Sequence, residues 1–132
     1  MNRAKLISTN GAYLEAVIEV QGQHICVMDE FSFCESSTPK LGSEFEFEFT
    51  PMIDEGESWE TIFSGNPDGR MGIEQIDGWR YRAFGKIVSV NPVVVDCGLF
   101  QTEGVVHSSD PILVGEAVAF IITRLCGYAH AI

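Results

Sequence analysis

The chain predicts an all-β fold, a small closed barrel carrying an inserted turn-rich hairpin region, and three observations point there. Apolar and polar residues alternate with period two in several separate stretches. Short strand-like runs are repeatedly broken by the 13 Gly and 5 Pro. No stretch carries the apolar spacing of a long amphipathic helix. At 132 residues with 45% hydrophobic content, the chain has room for one self-sufficient core, so residues 1–132 read as a single domain. A chain with so few strands must manage its edges, which favours closure over an open sandwich.

Taken in order, MNRAKLISTNG carries Arg3 and Lys5 but leads into no apolar run, because Glu15 and Glu19 interrupt it; no export signal is read there. Tyr13 to Val20 alternates, with Leu14, Ala16, Ile18 and Val20 on one face and Tyr13, Glu15, Val17 and Glu19 on the other. Gln21-Gly22-Gln23 supplies a turn, and His24 to Met28 completes a hairpin. Ser43 to Thr50 is the clearest strand: Phe45, Phe47 and Phe49 point one way and Glu44, Glu46 and Glu48 the other, until Pro51 ends it. Residues 52–78 form the insertion. Within it Glu57 to Phe63 suits one or two helical turns with Trp59 and Phe63 on one side. Asn66-Pro67-Asp68-Gly69 suits a type I turn, and Asp77-Gly78 a two-residue hairpin turn with φ > 0 at both positions. Strands follow at Trp79 to Val90, Val93 to Cys97 after an Asn91-Pro92 turn, Glu103 to His107, and Glu116 to Leu125.

A faint internal echo lays Ile18–Asp29 on Ile87–Asp96 and Pro39–Glu44 on Pro111–Glu116. Both copies read hairpin, Asp, loop, Pro, Gly, strand, a grammar that two β-meanders also share by default.

The segment from Gly85 to Ile122, GKIVSVNPVVVDCGLFQTEGVVHSSDPILVGEAVAFII, resembles the S-one type RNA-binding domain, an oligonucleotide-binding (OB) barrel. The shared features are a strand opening at Gly85, the strand Val93-Val94-Val95-Asp96, the stretch Glu103 to Ser108, and Val114-Gly115-Glu116 opening an alternating strand. The resemblance covers roughly 40 of 132 residues and implies an OB-like barrel. It places His107 at the family's binding-face histidine, with Phe100 and Arg124 as looser matches. The connection from Ser108 to Val114 is shorter than the family's, and no aromatic pair stands in Val93 to Cys97.

The net charge of −11, from 8 basic and 19 acidic residues, repels nucleic acid held by its phosphates and anionic membrane surfaces alike. Residues 1–79 hold all of the excess; residues 80–132 are balanced. A recognition face of Glu15, Glu19, Glu44, Glu46 and Glu48 would present a dense negative stripe to a basic protein partner. The same row also reads as a solvated strand face that blocks edge pairing. The first reading makes the chain a non-catalytic acidic binding module, with the composition of acidic inhibitors or immunity-type partners of nucleases. The alternative is single-stranded RNA binding through Arg80, Arg82, Lys86, His107 and Arg124.

Catalysis is not expected: no nucleophile elbow, phosphate-cradling loop or dinucleotide fingerprint occurs. No cofactor is expected. No metal is expected either, since His24, Cys26, Cys34 and His107 lack zinc-ligand spacing, and Asp29-Glu30, Asp54-Glu55 and Asp68 lack a calcium loop's pattern. Cys26, Cys34, Cys97 and Cys126 read as reduced thiols of a cytoplasmic chain. The longest strongly apolar stretch, Ala117 to Thr123, is far below the ~20 residues of a membrane span.

Overall fold

The computed structural model describes residues 2–33 and 38–130. In chain order its strands are β1 (Asn2–Thr9), β2 (Glu15–Val20), β3 (Gln23–Asp29), β4 (Glu44–Ile53), β5 (Gly72–Asp77), β6 (Arg80–Ser89), β7 (Val94–Asp96), β8 (Gln101–Glu103) and β9 (Ala117–Ala129). Among the described residues one short helix, α1 (Trp59–Ser64), and a single 3-10 turn, Pro111–Leu113, complete the set. The class is all-β and mostly antiparallel. The described residues gather into two compact units: 2–33, 38–52, 77–79 and 124–130 form the first, and 53–76 and 80–123 the second.

In the first unit five strands close into a ring. β3, β2, β1 and β4 neighbour one another in that order, all antiparallel. The final part of β9 lies between β4 and β3, pairing with β3 in parallel at Met28–Cys126 and Asp29–Gly127. Three consecutive strands with a fourth returning beside the first make a Greek key. The hairpin between β2 and β3 turns on Gln21 (φ 51°) and Gly22 (φ 78°), the two positive values that a primed two-residue turn requires.

The alternation read in β4 holds. Phe45, Phe47 and Phe49 are buried, while Glu44 and Glu46 are exposed and Glu48 is half-buried. The rings of Phe31, Phe45 and Phe49 surround Phe47 with centroids 6.2, 5.8 and 4.9 Å away, all near edge-on. Pro51, however, does not end the strand. The Glu46 carbonyl accepts from His130 N–H at 3.0 Å, so even-numbered residues of β4 bond toward β9 and odd-numbered ones toward β1. β1 begins at Asn2, opposite Phe47. At Pro51 there is therefore no described neighbour to miss the absent N–H.

β1 itself is not anticipated by the sequence reading, although Ala4 and Leu6 are both 1% exposed between Arg3 and Lys5. Leu14, expected inward, is 52% exposed and precedes β2. Asp29 is fully buried, and its carboxylate accepts from Phe31 N–H (2.8 Å), Ser32 N–H (2.9 Å), the Ser32 hydroxyl (2.6 Å) and the Thr9 hydroxyl. A buried carboxylate would be costly without such donors. These fasten the chain leaving β3 onto the end of β1.

In the second unit the order is β8, β7, β6, β9, again antiparallel, with β5 also paired to β6. The turn between β5 and β6 falls on Gly78-Trp79, one residue later than read, with Gly78 at φ 54° and Asp77 still in strand. α1 forms as the spacing predicts: the Ser58 hydroxyl accepts from Thr61 N–H at 3.2 Å as N-cap, and the Trp59 and Phe63 rings lie 5.8 Å apart. The Asn66 to Gly69 turn also forms, Gly69 N–H donating to the Asn66 carbonyl at 3.2 Å. The strand expected over Glu103 to His107 lies earlier, at Gln101–Glu103. Gly104 at φ 85° turns the chain out of the ladder.

The two units share one plan: a first strand flanked by the second and the fourth, with the third beyond the second. The first two strands of each carry a register shift at matching places, between Leu6 and Ser8 and between Ile87 and Ser89. The loop before each fourth strand docks by the same two backbone bonds. Gly42 N–H donates to Leu6 O and Leu6 N–H to Ser43 O, at 2.7 and 3.1 Å; Gly115 N–H donates to Ile87 O and Ile87 N–H to Glu116 O, at 2.8 and 3.0 Å. The echo between Pro39–Glu44 and Pro111–Glu116 thus matches this shared plan. The other half of the echo is misaligned, because Asp29 ends a third strand and Asp96 a second.

Candidate functional site

Opposed residues on neighbouring strands share a face of the sheet. On the outside of the ring Glu44 faces Lys5, Lys5 faces Glu19, and Glu19 faces His24, across β4, β1, β2 and β3. One step along, Glu46 faces Arg3. The ladder thus brings Glu19, Glu44 and Glu46 onto one face as expected, but Arg3 and Lys5 are set among them. Arg3 Nη2 stands 3.4 Å from Glu44 Oε2, and His24 Nε2 stands 3.8 Å from Glu19 Oε1. Such exposed pairs contribute little to stability, roughly 0–1 kcal/mol each. Glu15 opens β2 with its carboxylate over Gly78, where a β-carbon would lie 2.8 Å from Oε1.

Glu48 is held differently. The Tyr128 hydroxyl donates to its Oε2, and His130 Nε2 stands 3.5 Å from Oε1. The Tyr128 bond is the main reason its carboxyl sits below the ordinary value of 4.5, and the same bond raises Tyr128 above 10.0. A lowered carboxyl pKa contributes stability above about pH 4.5 that is lost as pH falls through the folded value; a raised phenol contributes stability that is lost as pH rises past its own folded value. Tyr128→Phe is expected to return the Glu48 titration toward 4.5, followed by carboxyl-carbon NMR.

The charge excess of residues 1–79 does not map onto the first unit. By sequence, residues 1–52, 77–79 and 124–132 hold nine acidic and four basic residues, and the remainder ten and four. Chain order separates the acids from the bases; the fold redistributes them.

All four basic residues of the second unit meet at one face of β6. Arg80, Arg82 and Lys86 alternate with the buried Tyr81, Ala83, Gly85 and Ile87. The Arg70 guanidinium lies 4.2 Å from the centroid of the Phe84 ring, and that of Arg82 lies 5.6 Å from it. Arg70 and Phe84 escaped the sequence reading. The available signal was the Asn66 to Gly69 turn, which delivers Arg70, but its reach to β6 is a tertiary fact. Of the other candidates, His107 is exposed beyond β8, and Arg124 belongs to the first unit, with Nη2 2.7 Å from Met52 Sδ.

Cys26, Cys97 and Cys126 are free thiols; Cys34 lies outside the described residues. Burial raises all three, Cys97 to about 12 with help from Asp96, and Cys26 with help from Glu15. A raised thiol holds less reactive thiolate at neutral pH. In native protein at pH 8, iodoacetamide is expected to leave Cys97 unmodified and to reach it only in denaturant, as read by peptide mass spectrometry. His24 and Cys26 share a side of β3, and among the described residues no group of three or more His, Cys, Asp or Glu is placed to hold a metal ion. No described helix is long and apolar enough to cross a membrane.

Compared with protein-family models, curated proteins and solved structures, the chain matches none of them.

Proposed function

We propose that the chain is a non-catalytic binding module, that its first unit is an OB-like barrel, and that the outer face of β1, β2 and β4 engages a basic protein surface. A five-stranded Greek-key ring with one parallel closure suits that barrel. The observation carrying the functional reading is the register that gathers Glu19, Glu44 and Glu46 on one solvent face, with Glu15 and Glu48 on the same two strands. Arg3 and Lys5 stand among these acids but are outnumbered by them, so the face still favours a basic partner. The free thiols suit a reducing, cytoplasmic setting.

Single-stranded RNA binding through β6 is the weaker reading. A base needs an open aromatic face on which to stack. Phe84 is 5% exposed beneath two guanidiniums.

The test is anisotropy of a labelled Lys/Arg-rich peptide at low and moderate salt. The variant Glu15→Lys/Glu44→Lys/Glu46→Lys, which spares the Glu48–Tyr128 bond, is compared with Glu55→Lys/Glu60→Lys/Glu103→Lys in the second unit. Loss of binding confined to the first variant supports the proposed face. Equal losses would show diffuse attraction and overturn it.

A further inference from the structure

The acidic face leaves the β6 arginines without a role, and their packing is specific. Asn66 is 3% exposed; its side-chain oxygen accepts from Arg70 N–H at 2.7 Å, and its amide donates to the carbonyls of Arg70 (3.0 Å) and Val118 (3.2 Å). Both backbone polar groups of Arg70 are therefore clamped by one buried side chain. Arg82 is fixed from another side. A β-carbon at Gly65 would lie 2.9 Å from Arg82 Nη2 and 2.9 Å from Ala119 Cβ, so the missing side chain is the space that guanidinium occupies. Both guanidiniums then rest over Phe84, flanked along β6 by Arg80 and Lys86. Two like charges are thus held by one ring, and Glu74, 3.3 Å from Arg70 Nη2, makes the one ion pair to them among the described residues.

We propose that Arg70 and Arg82 on Phe84 form a binding site for a small phosphate-bearing anion. Two guanidinium forks packed on one ring suit phosphate oxygens because each offers parallel N–H donors in one plane. The four cations stand within a unit that is otherwise acidic, so a compact polyphosphate meets them with less repulsion than a long nucleic acid strand would. Glu74 competes with the ligand for Arg70.

Titration calorimetry of the whole chain with tripolyphosphate, adenosine triphosphate and a single-stranded RNA oligonucleotide, at matched ionic strength, tests this. Tripolyphosphate is expected to bind. Equal affinity for adenosine triphosphate places recognition in the phosphates, and tighter binding of it identifies a nucleotide as the source. Arg82→Lys keeps the charge but loses the fork, and is expected to weaken binding about tenfold. Glu74→Gln is expected to strengthen it several-fold, a gain that a misfolded variant would not produce. Failure of both phosphate ligands to bind, binding of RNA alone, or an unchanged affinity in both variants would overturn the proposal.

Discussion

Gly127→Ala is expected to lower stability by about 3 kcal/mol or more, at the upper end of what overpacking does. Gly127 lies on β9 opposite Asp29, where the ring closes. A β-carbon there would lie 2.6 Å from Phe47 Cε1 and closer still to Cζ. Phe47 is wholly buried among three other rings and cannot swing away. Urea denaturation checks it, with Gly22→Ala as control: a β-carbon at Gly22 meets nothing within 4 Å, so only its φ of 78° costs anything. Comparable losses at the two positions would mean that Phe47 yields to the added carbon and that ring packing does not set the requirement at Gly127.

Phe47→Ala is expected to cost about 3–5 kcal/mol, because it empties the centre of the aromatic cluster. Glu46→Ala, one residue away on the outer face, should stay within about 0.5 kcal/mol. Equal losses in chemical denaturation would mean that the faces of β4 are wrongly assigned. The two sites are also coupled. Phe47→Leu in the Gly127→Ala background removes part of the clash, so the double variant should be more stable than the sum of the single losses predicts.

Much of this core was legible because the signals are local. Alternation in β4, the Gln21-Gly22 turn, and the four-residue spacing of Trp59 and Phe63 each require only neighbours in sequence. The misses are tertiary. Pro51 stays in strand because of where β1 begins, which no reading of β4 alone reveals. β1 buries only Ala4 and Leu6, too small an apolar face to stand out beside Arg3 and Lys5. Glu44 and Glu46 were visible as a row, whereas their basic neighbours depended on strand order. The Arg70–Phe84–Arg82 stack joins a turn to a strand fourteen residues downstream, with Asn66 as the fastener, and nothing local announces it.

The most direct test of the acidic face is a map of backbone amide shifts as a Lys/Arg-rich peptide is titrated into the labelled protein at moderate salt. Perturbations are expected at β1, β2 and β4, centred on Lys5, Glu19, Glu44 and Glu46, and fading as salt shortens the Debye length toward about 3 Å at 1 M. Shifts centred on β6, or scattered over both units in proportion to their acidic residues, would contradict it.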